Sequence, residues 1–140
     1  MIHSYICIIK LKNELSPETK LLINGDIQNH IQGEKLVHSN QGLDGYMIGR
    51  GVFQNPYCFT DHQPTREELI KLLELHLDLF DQDQQAKHSF EPLKHYFKIY
   101  VKDFPGASEL RQQLMECHST AKAHETIQAY FSWLYNVLML

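Results

Sequence analysis

Closely spaced cysteines and histidines of the kind that bind a metal are missing from this chain. Its three cysteines, Cys7, Cys58 and Cys117, lie far apart and form no CxxC pair, and its nine histidines form no HExxH motif. Structural zinc sites use ligands at such short spacings. We therefore predict no metal site, and free thiols in a reducing compartment.

Long apolar runs are also absent. The start of the chain lacks the basic region, apolar run and small-residue cleavage site of a secretory signal. The apolar stretch at residues 130–140 is too short to span a bilayer unaided. With 43% hydrophobic residues, 21% charged residues and a net charge of −4, the composition is that of a globular protein in water. We expect a cytoplasmic protein with no membrane partner.

The length of 140 residues excludes a complete (β/α)8 barrel, which needs roughly 250 residues. It is enough for one modest core or two small ones. Turn-forming residues at 55–56 and 61–65 divide the chain into two parts. We predict an α/β fragment over residues 1–60 and an all-α part over residues 65–140.

Two short apolar runs in the first part each end in a polar turn that contains glycine. The first is LINGDI at residues 22–27, and the second is GYMIGRG at residues 45–51. We predict strands at 20–23 and 46–48, joined by a helix at 28–40 with Ile31, Leu36 and Val37 on its apolar face. A further helix is predicted at 6–15. A strand, a helix and a parallel strand place both turns at the same edge of a sheet.

The two turns have the residue types of a phosphate site. Glycine lets backbone N–H groups approach an anion closely, and Arg50 adds a fixed positive fork. In (β/α)8 barrels the loops after the last two strands often build such a site. Asn24, Gly25 and Asp26 are also favoured in ordinary tight turns, so the first motif alone does not decide. The two motifs together favour phosphate binding.

The second part has the periodicity of helices. Thr65 and Glu68 predict a capping box at the start of the first one. Further helices are predicted at 91–102, at 108–116, and after a cap at Ser119 or Thr120. Four amphipathic helices with short connections favour a four-helix bundle. The predicted apolar faces contain Leu69, Leu72, Leu73, Leu77 and Phe80, then Leu93, Tyr96, Phe97, Tyr100 and Val101, and finally Ile127, Tyr130, Phe131, Leu134, Val137 and Leu138.

Lysines recur every four residues in the predicted helix at 91–102. Lys94, Lys98 and Lys102 are expected to form a cationic row on one face, with His95 beside it and Arg111 on the next helix. A solvated lysine face would account for this spacing. Evenly spaced ammonium groups with few nearby carboxylates also match a nucleic-acid backbone. The overall acidity disfavours nonspecific DNA binding and leaves selective contact with RNA open.

Several of these motifs together resemble one enzyme family. The sequences NGDI at 24–27, GLDGYMIGRGV at 42–52 and NP at 55–56 are similar to the last two strands of a tRNA-dihydrouridine synthase barrel. The sequences PLKHYFKIY at 92–100 and GASELR at 106–111 resemble that family's carboxyl-terminal RNA-binding bundle. The resemblance implies the last quarter of a TIM barrel, with a βαβ unit in residues 1–60, followed by a helical tRNA-binding domain in residues 65–140.

That family reduces uridine in tRNA to 5,6-dihydrouridine, using FMN that is reduced by NADPH. The resemblance implies that one set of residues contacts the FMN phosphate and that a second set contacts tRNA. The first set is Asn24, Gly25, Asp26, Gly49 and Arg50, and the second set is Lys94, His95, Lys98, Lys102 and Arg111.

The chain departs from the family pattern in its catalytic part. The family's general-acid cysteine and the residues around the flavin ring come from earlier barrel strands, and neither Cys7 nor Cys58 occupies that catalytic position. We expect a truncated synthase that is inactive alone, holds FMN weakly or not at all, and forms a homodimer through its exposed barrel edge. The alternatives are a non-catalytic RNA-binding helical module, a degenerate remnant of the enzyme, or another phosphate-binding barrel enzyme.

Overall fold

A computed structural model describes residues 12, 14–83 and 89–138, with side chains described as far as Trp133. The chain splits into two compact units, Met1–Gln63 and Pro64–Leu140. The described part of the first unit contains a small parallel sheet, and that of the second contains helices alone as regular elements. A mostly helical chain with one small parallel sheet agrees with the expected α/β fragment followed by helices. Most of the helix predicted at 6–15 lies outside the described residues.

The first unit contains the predicted strand, helix and parallel strand. Strand β1 is Leu22–Asn24, helix α1 is His30–Ser39, and strand β2 is Gly45–Met47. The strands are parallel, and Asn24 at the end of β1 is opposite Met47 at the end of β2. The strands differ from the predicted bounds by one or two residues at each end. A short helix, α2 (Gly51–Gln54), follows β2.

Helix α1 begins later than predicted because Asn29 caps it. The Asn29 side chain accepts a hydrogen bond from the Gln32 N–H at 2.9 Å. The predicted apolar face is wrong at Ile31, whose surface is 62% exposed. The buried residue of this helix is Gly33, where an added Cβ would lie 2.3 Å from the Tyr46 ring. A glycine therefore lets the helix pack directly against β2.

A small core lies beneath the two turns that follow the strands. Its buried members are Ile27, Ile48 and Cys58, and the residues packed around it are Ile23, Leu36, Tyr46 and Val52. Ile27 lies three residues after β1, and Ile48 directly follows β2. Their burial therefore fixes the chain after the first turn and at the start of the second.

The second unit begins with the predicted capping box. Helix α3 is Arg66–Gln82, and it begins where the Glu68 N–H donates to Thr65 Oγ1 at 3.2 Å and the Thr65 N–H donates to Glu68 Oε2 at 2.7 Å. This confirms the prediction. Its inward face buries Leu69, Leu73 and Leu77.

The predicted α-helix at 91–102 is wrong. Residues Glu91–Tyr96 form a 3-10 helix, residues Phe97–Tyr100 form a single α-helical turn (α4), and the helix ends before Val101. A 3-10 helix has three residues per turn, so the lysines do not keep the four-residue register of an α-helix. A bundle of four long α-helices is therefore not confirmed.

Two further helices complete the second unit. Helix α5 is Ala107–Glu116 and helix α6 is Thr120–Leu138. Ser119 caps α6, because its Oγ accepts from the Lys122 N–H at 3.2 Å, whereas Thr120 Oγ1 donates to the Asp81 carboxylate at 2.7 Å. Each described helix of this unit contributes buried residues to its core. No helix in the described ranges is long and apolar enough to cross a membrane.

Candidate functional site

The two glycine-bearing turns meet at the carboxyl edge of the parallel sheet. The first turn has left-handed backbone at Gly25 (φ 128°) and at Asp26 (φ 52°). The Arg50 guanidinium in the second turn donates a hydrogen bond to the Asp26 carboxylate. Both side chains are nearly four-fifths exposed, at 79% and 78%. The structure thus brings together two predicted site residues that lie 24 positions apart.

The glycines of these turns have different structural requirements. Nothing lies within 4 Å of a Cβ added at Gly25 or Gly49, so both positions are open on that side. A Cβ added at Gly51 would lie 2.4 Å from the carbonyl oxygen of Gln28 and 2.7 Å from Ile48 Cγ2. Gly51 is therefore needed for the close approach of the two turns. Sequence reasoning did not select it, although it stands in the quoted motif directly after Arg50.

Gln28 supports the first turn and was also missed. Its backbone N–H donates to Gln32 Oε1 at 2.8 Å, and its side-chain Nε2 donates to the carbonyl oxygen of Asp26 at 3.3 Å. Its Oε1 is the buried side-chain polar atom without a hydrogen-bond partner among the described residues. No local sequence pattern marks Gln28, because its role depends on where the turn folds over it.

A second candidate site is a groove of about 400 Å³ in the helical unit. It lies between the 3-10 and α4 segments and helix α5, and we call it the α5 groove. Four lining residues, at spacing i, i+3, i+4, i+7, come from one face of α5. Arg111 was predicted. The same helical spacing, counted from Arg111, would have indicated Ser108, Gln112 and Met115. The lining residues are Lys94, His95, Phe97, Lys98, Ser108, Arg111, Gln112 and Met115.

The α5 groove contains four of the five residues predicted to face RNA, in an arrangement that differs from the predicted row. Lys98 and His95 are exposed, whereas Lys94 is only 6% exposed. The Arg111 guanidinium donates to the carbonyl oxygen of Val101 at 2.6 Å, which holds it along the groove. Lys102 follows α4 and does not line the groove. The predicted row of three lysines on one helix face is therefore wrong.

Neither site has the donor set of a metal centre. Across the part of the chain that the structure describes, no group of three or more His, Cys, Asp or Glu side chains is placed to hold a metal ion. Cys58 and Cys117 are buried free thiols. Burial raises the pKa of the Cys58 thiol, which disfavours the reactive thiolate.

Comparison with known proteins places the turn pair and the groove in one family. The family model described as dihydrouridine synthase matches residues 2–134. The chain belongs to the dihydrouridine synthase family. Both candidate sites of this dihydrouridine synthase chain lie within the matched residues.

The relatives are longer than this chain. It is 47% identical to the probable tRNA-dihydrouridine synthase 2 of Bacillus subtilis over 116 aligned residues. The aligned region covers 81% of this chain and 35% of the relative. It is 44% identical over 123 residues to a probable tRNA-dihydrouridine synthase of Staphylococcus epidermidis, with 86% and 37% covered. A probable tRNA-dihydrouridine synthase of Staphylococcus aureus is 43% identical over 126 residues, with 88% and 38% covered. The chain thus spans less than two-fifths of the length of these dihydrouridine synthases.

Proposed function

We propose that this chain carries two binding parts of a tRNA-dihydrouridine synthase, an FMN-phosphate site in residues 1–60 and a tRNA-binding surface in residues 65–140. The activity proposed for the whole enzyme is the reduction of uridine in tRNA to 5,6-dihydrouridine, with NADPH as the reductant. The observation that carries the proposal is the meeting of the two turns at Asp26 and Arg50, within residues that match the family.

The residues at the sheet edge fit a phosphate group. Gly25 and Gly49 leave open the space that a Cβ would fill, so a ligand can come close to the backbone there. Arg50 presents a highly exposed guanidinium at the same edge, and a guanidinium binds phosphate in a bidentate manner. We propose backbone contacts to the phosphate for Asn24, Gly25 and Asp26, whereas Gly49 and the Arg50 guanidinium close its other side.

The parallel strands also support the proposed barrel. Leu22 and Met47 on the two strands are half exposed, and parallel sheets normally have both faces covered. We propose that the βαβ unit is the last quarter of a TIM barrel whose other strands cover these residues. Dimerisation through the same open edges stays a prediction.

Bound FMN would supply a hydride for the 5,6 double bond of uridine, and the proton would come from the general acid that the family places on earlier barrel strands. The contribution that we assign to this chain is to hold the phosphate end of the cofactor and to hold the RNA. No residue of this chain is assigned a catalytic role. We expect the chain alone to bind flavin weakly or not at all, because a phosphate grip lacks the apolar walls that a flavin ring needs. Yellow protein after purification would contradict that expectation.

The phosphate site is tested best at Gly49, where the backbone is not left-handed and a side chain has room. In a full-length relative, valine at the residue aligned with Gly49 should lower FMN retention and leave the melting temperature without cofactor nearly unchanged. Gly25 is a less clean position, because its positive φ strains any replacement. Equal losses of FMN retention and stability at the Gly49 position would favour an ordinary turn over a phosphate site.

The tRNA-binding surface that we propose is the α5 groove, where Lys98 and Arg111 provide positive charge and His95 lies beside them. Lys102 stays a predicted contact outside this lining. Affinity for tRNA should fall with salt, and Lys98→Gln should flatten the log–log slope by roughly 0.7 to 0.9 for one lost phosphate contact. Lys71→Gln is a matched control, because Lys71 is an exposed lysine outside the groove. Equal slopes for the parent and Lys98→Gln would remove Lys98 from the proposal.

The second candidate function is RNA binding without catalysis. The chain would then be either an RNA-binding helical module or a degenerate remnant of the enzyme. It is favoured by the large core of the helical unit, which contrasts with the small core among the described residues of the sheet unit. Binding of tRNA by the chain, together with failure of the Gly49 variant to alter FMN retention in the relative, would favour this candidate over the enzyme.

A further inference from the structure

Lys94 differs from the other cations of the α5 groove in its surroundings. Its side chain is 5% exposed, and its ammonium lies 2.9 Å from Glu91 Oε1. The same ammonium donates to the carbonyl oxygen of Met115 at 2.8 Å and lies 5.8 Å from the centre of the Phe90 ring. A buried ammonium with these partners is already satisfied, and moving it to an RNA phosphate would leave the Glu91 carboxylate and the Met115 carbonyl without it.

The partners of Lys94 belong to the two walls of the groove. Glu91 begins the 3-10 helix on one side, and Met115 lies in the last turn of α5 on the other. A cation at the carboxyl end of a helix interacts favourably with the helix dipole and with the last carbonyl groups. Lys94 therefore fastens the end of α5 to the start of the segment that carries Lys98.

Glu91 is the partner of Lys94 on the 3-10 side of this link. Hydrogen bonding to Lys94, with a smaller contribution from His118, lowers the pKa of the Glu91 carboxyl. The His118 Nδ1 lies 3.6 Å from the same Glu91 oxygen. The carboxylate thus stays negative beside a groove that we propose to bind a polyanion. Its charge alone disfavours RNA, so a favourable effect of Glu91 on binding has to come through geometry.

We infer that Lys94 is a positioning residue for the proposed RNA surface and not a phosphate ligand. With Glu91 it fixes the spacing of the groove walls, and so sets the position of Lys98 relative to Arg111 on the opposite wall. The inference rests on the proposed function, since it concerns the same groove.

The test is a salt titration of tRNA binding by the full chain, with Glu91→Gln as the decisive variant. If electrostatics alone governs binding, removal of this carboxylate raises the affinity. If Glu91 and Lys94 position the groove, Glu91→Gln lowers the affinity by roughly three- to tenfold, the scale on which remote residues modulate a site. Glu109→Gln, at an exposed carboxylate on α5 outside the groove lining, is the matched control and should not lower it.

Lys94→Met and the double variant with Glu91→Gln complete the experiment. The double variant keeps the net charge of the pair, so its affinity returns to the parent value if charge alone matters and stays low if position matters. Circular dichroism identifies any variant that has lost its fold. If a variant with Lys94→Met unfolds, Glu91→Gln alone still decides the inference, because Glu91 is exposed and its replacement should leave the chain folded.

The outcomes separate the two proposals. A parent chain that binds tRNA, with Glu91→Gln binding as tightly or more tightly, or with the double variant restored, overturns the positioning role and leaves the proposed function intact. A parent chain that does not bind tRNA overturns the proposed RNA surface and, with it, the role of Lys94. Weaker binding by Glu91→Gln and by the double variant, with a flatter slope only for Lys98→Gln, supports both.

Discussion

The helical unit buries a large apolar core, whereas the sheet unit buries a small one. Sixteen buried residues form the core cluster of the described helical part, against three in the described part of the sheet unit. Stabilisation by apolar burial grows with the area removed from water. Within the described residues, apolar burial therefore stabilises the helical part broadly, whereas the sheet part is held by a few close contacts and polar links.

Those contacts lie along the strands and on both sides of them. Gly33 lies against the Tyr46 ring, Gly51 lies against the backbone of Gln28, and Asp44 accepts hydrogen bonds from Lys12 and from the Leu21 N–H. Each is a specific geometry and not a general apolar contact. The comparison teaches that the proposed phosphate turns are placed by backbone fit, and the groove walls by helix packing with one buried ion pair.

The largest effect is expected from a cavity in the helical core. Leu110 in α5 is fully buried, so Leu110→Ala should lower the free energy of unfolding by about 2–5 kcal/mol. Leu75 in α3 is half exposed, and Leu75→Ala should change it by less than about 0.5 kcal/mol. Urea unfolding followed by circular dichroism at 222 nm measures both. Similar losses would mean that the helical core does not carry this unit's stability.

A smaller effect is expected from an added methyl group in the sheet unit. Gly51→Ala forces a Cβ against the Gln28 carbonyl, and such overpacking costs about 1–3 kcal/mol. Gly49→Ala places its methyl group in open space two residues away and should be tolerated. Hydrogen exchange of the amides in residues 27–55 measures the local stability. Equal exchange in the two variants would contradict the close packing of the turns.

The cap of α3 should contribute less again. Thr65→Ala removes the hydroxyl that accepts from the Glu68 N–H and should cost about 1 kcal/mol of helix stability. Thr65→Ser keeps a hydroxyl at the cap and should retain most of the stability. The urea midpoint compares the three chains. Loss of stability in the serine variant as large as in the alanine variant would show that the methyl group matters more than the hydrogen bond.

Local signals explain what could be predicted from the sequence. The capping box depends on two residues three positions apart, Thr65 and Glu68, so its pattern is visible in the chain. The strand, helix and parallel strand were predicted because each apolar run ends at a glycine turn. That topology also predicted that the turns with Asp26 and Arg50 lie at one edge of the sheet, although the ion pair between them was not predicted.

Interactions between distant residues explain what was missed. The apolar spacing at 91–102 fits an α-helix, yet Lys94 turns inward because its partner is the Met115 carbonyl 21 residues later. The need for glycine at position 51 comes from Gln28, which is 23 residues earlier. Neither partner is marked by a pattern near the residue that needs it. The sequence thus identified the cationic residues of the groove, but it could not show that Lys94 is buried and Lys98 is exposed.

The smallest effect concerns Asp44, just before β2. Its carboxylate accepts hydrogen bonds from Lys12 and from Leu21, the residue just before β1. A hydrogen bond from Lys12, followed by one from the Leu21 N–H at 2.7 Å, lowers the pKa of Asp44 from 3.8 to about 2. Because the folded-state pKa is the lower one, this stabilisation is present above about pH 4 and is lost as the pH falls towards 2.

The Leu21 amide proton should report that titration directly, with a midpoint near pH 2 in an NMR pH series. Lys12→Gln should raise the midpoint towards 3.8, because it removes the first cause of the pKa shift. Lys20→Gln is the control, since the Lys20 ammonium is exposed and lies 3.6 Å from Asp44, where solvent screens the pair. A midpoint near 3.8 in the parent chain would mean that Asp44 is not held as the structure places it. The sheet unit would then depend on the close packing at its glycines more than on this polar link.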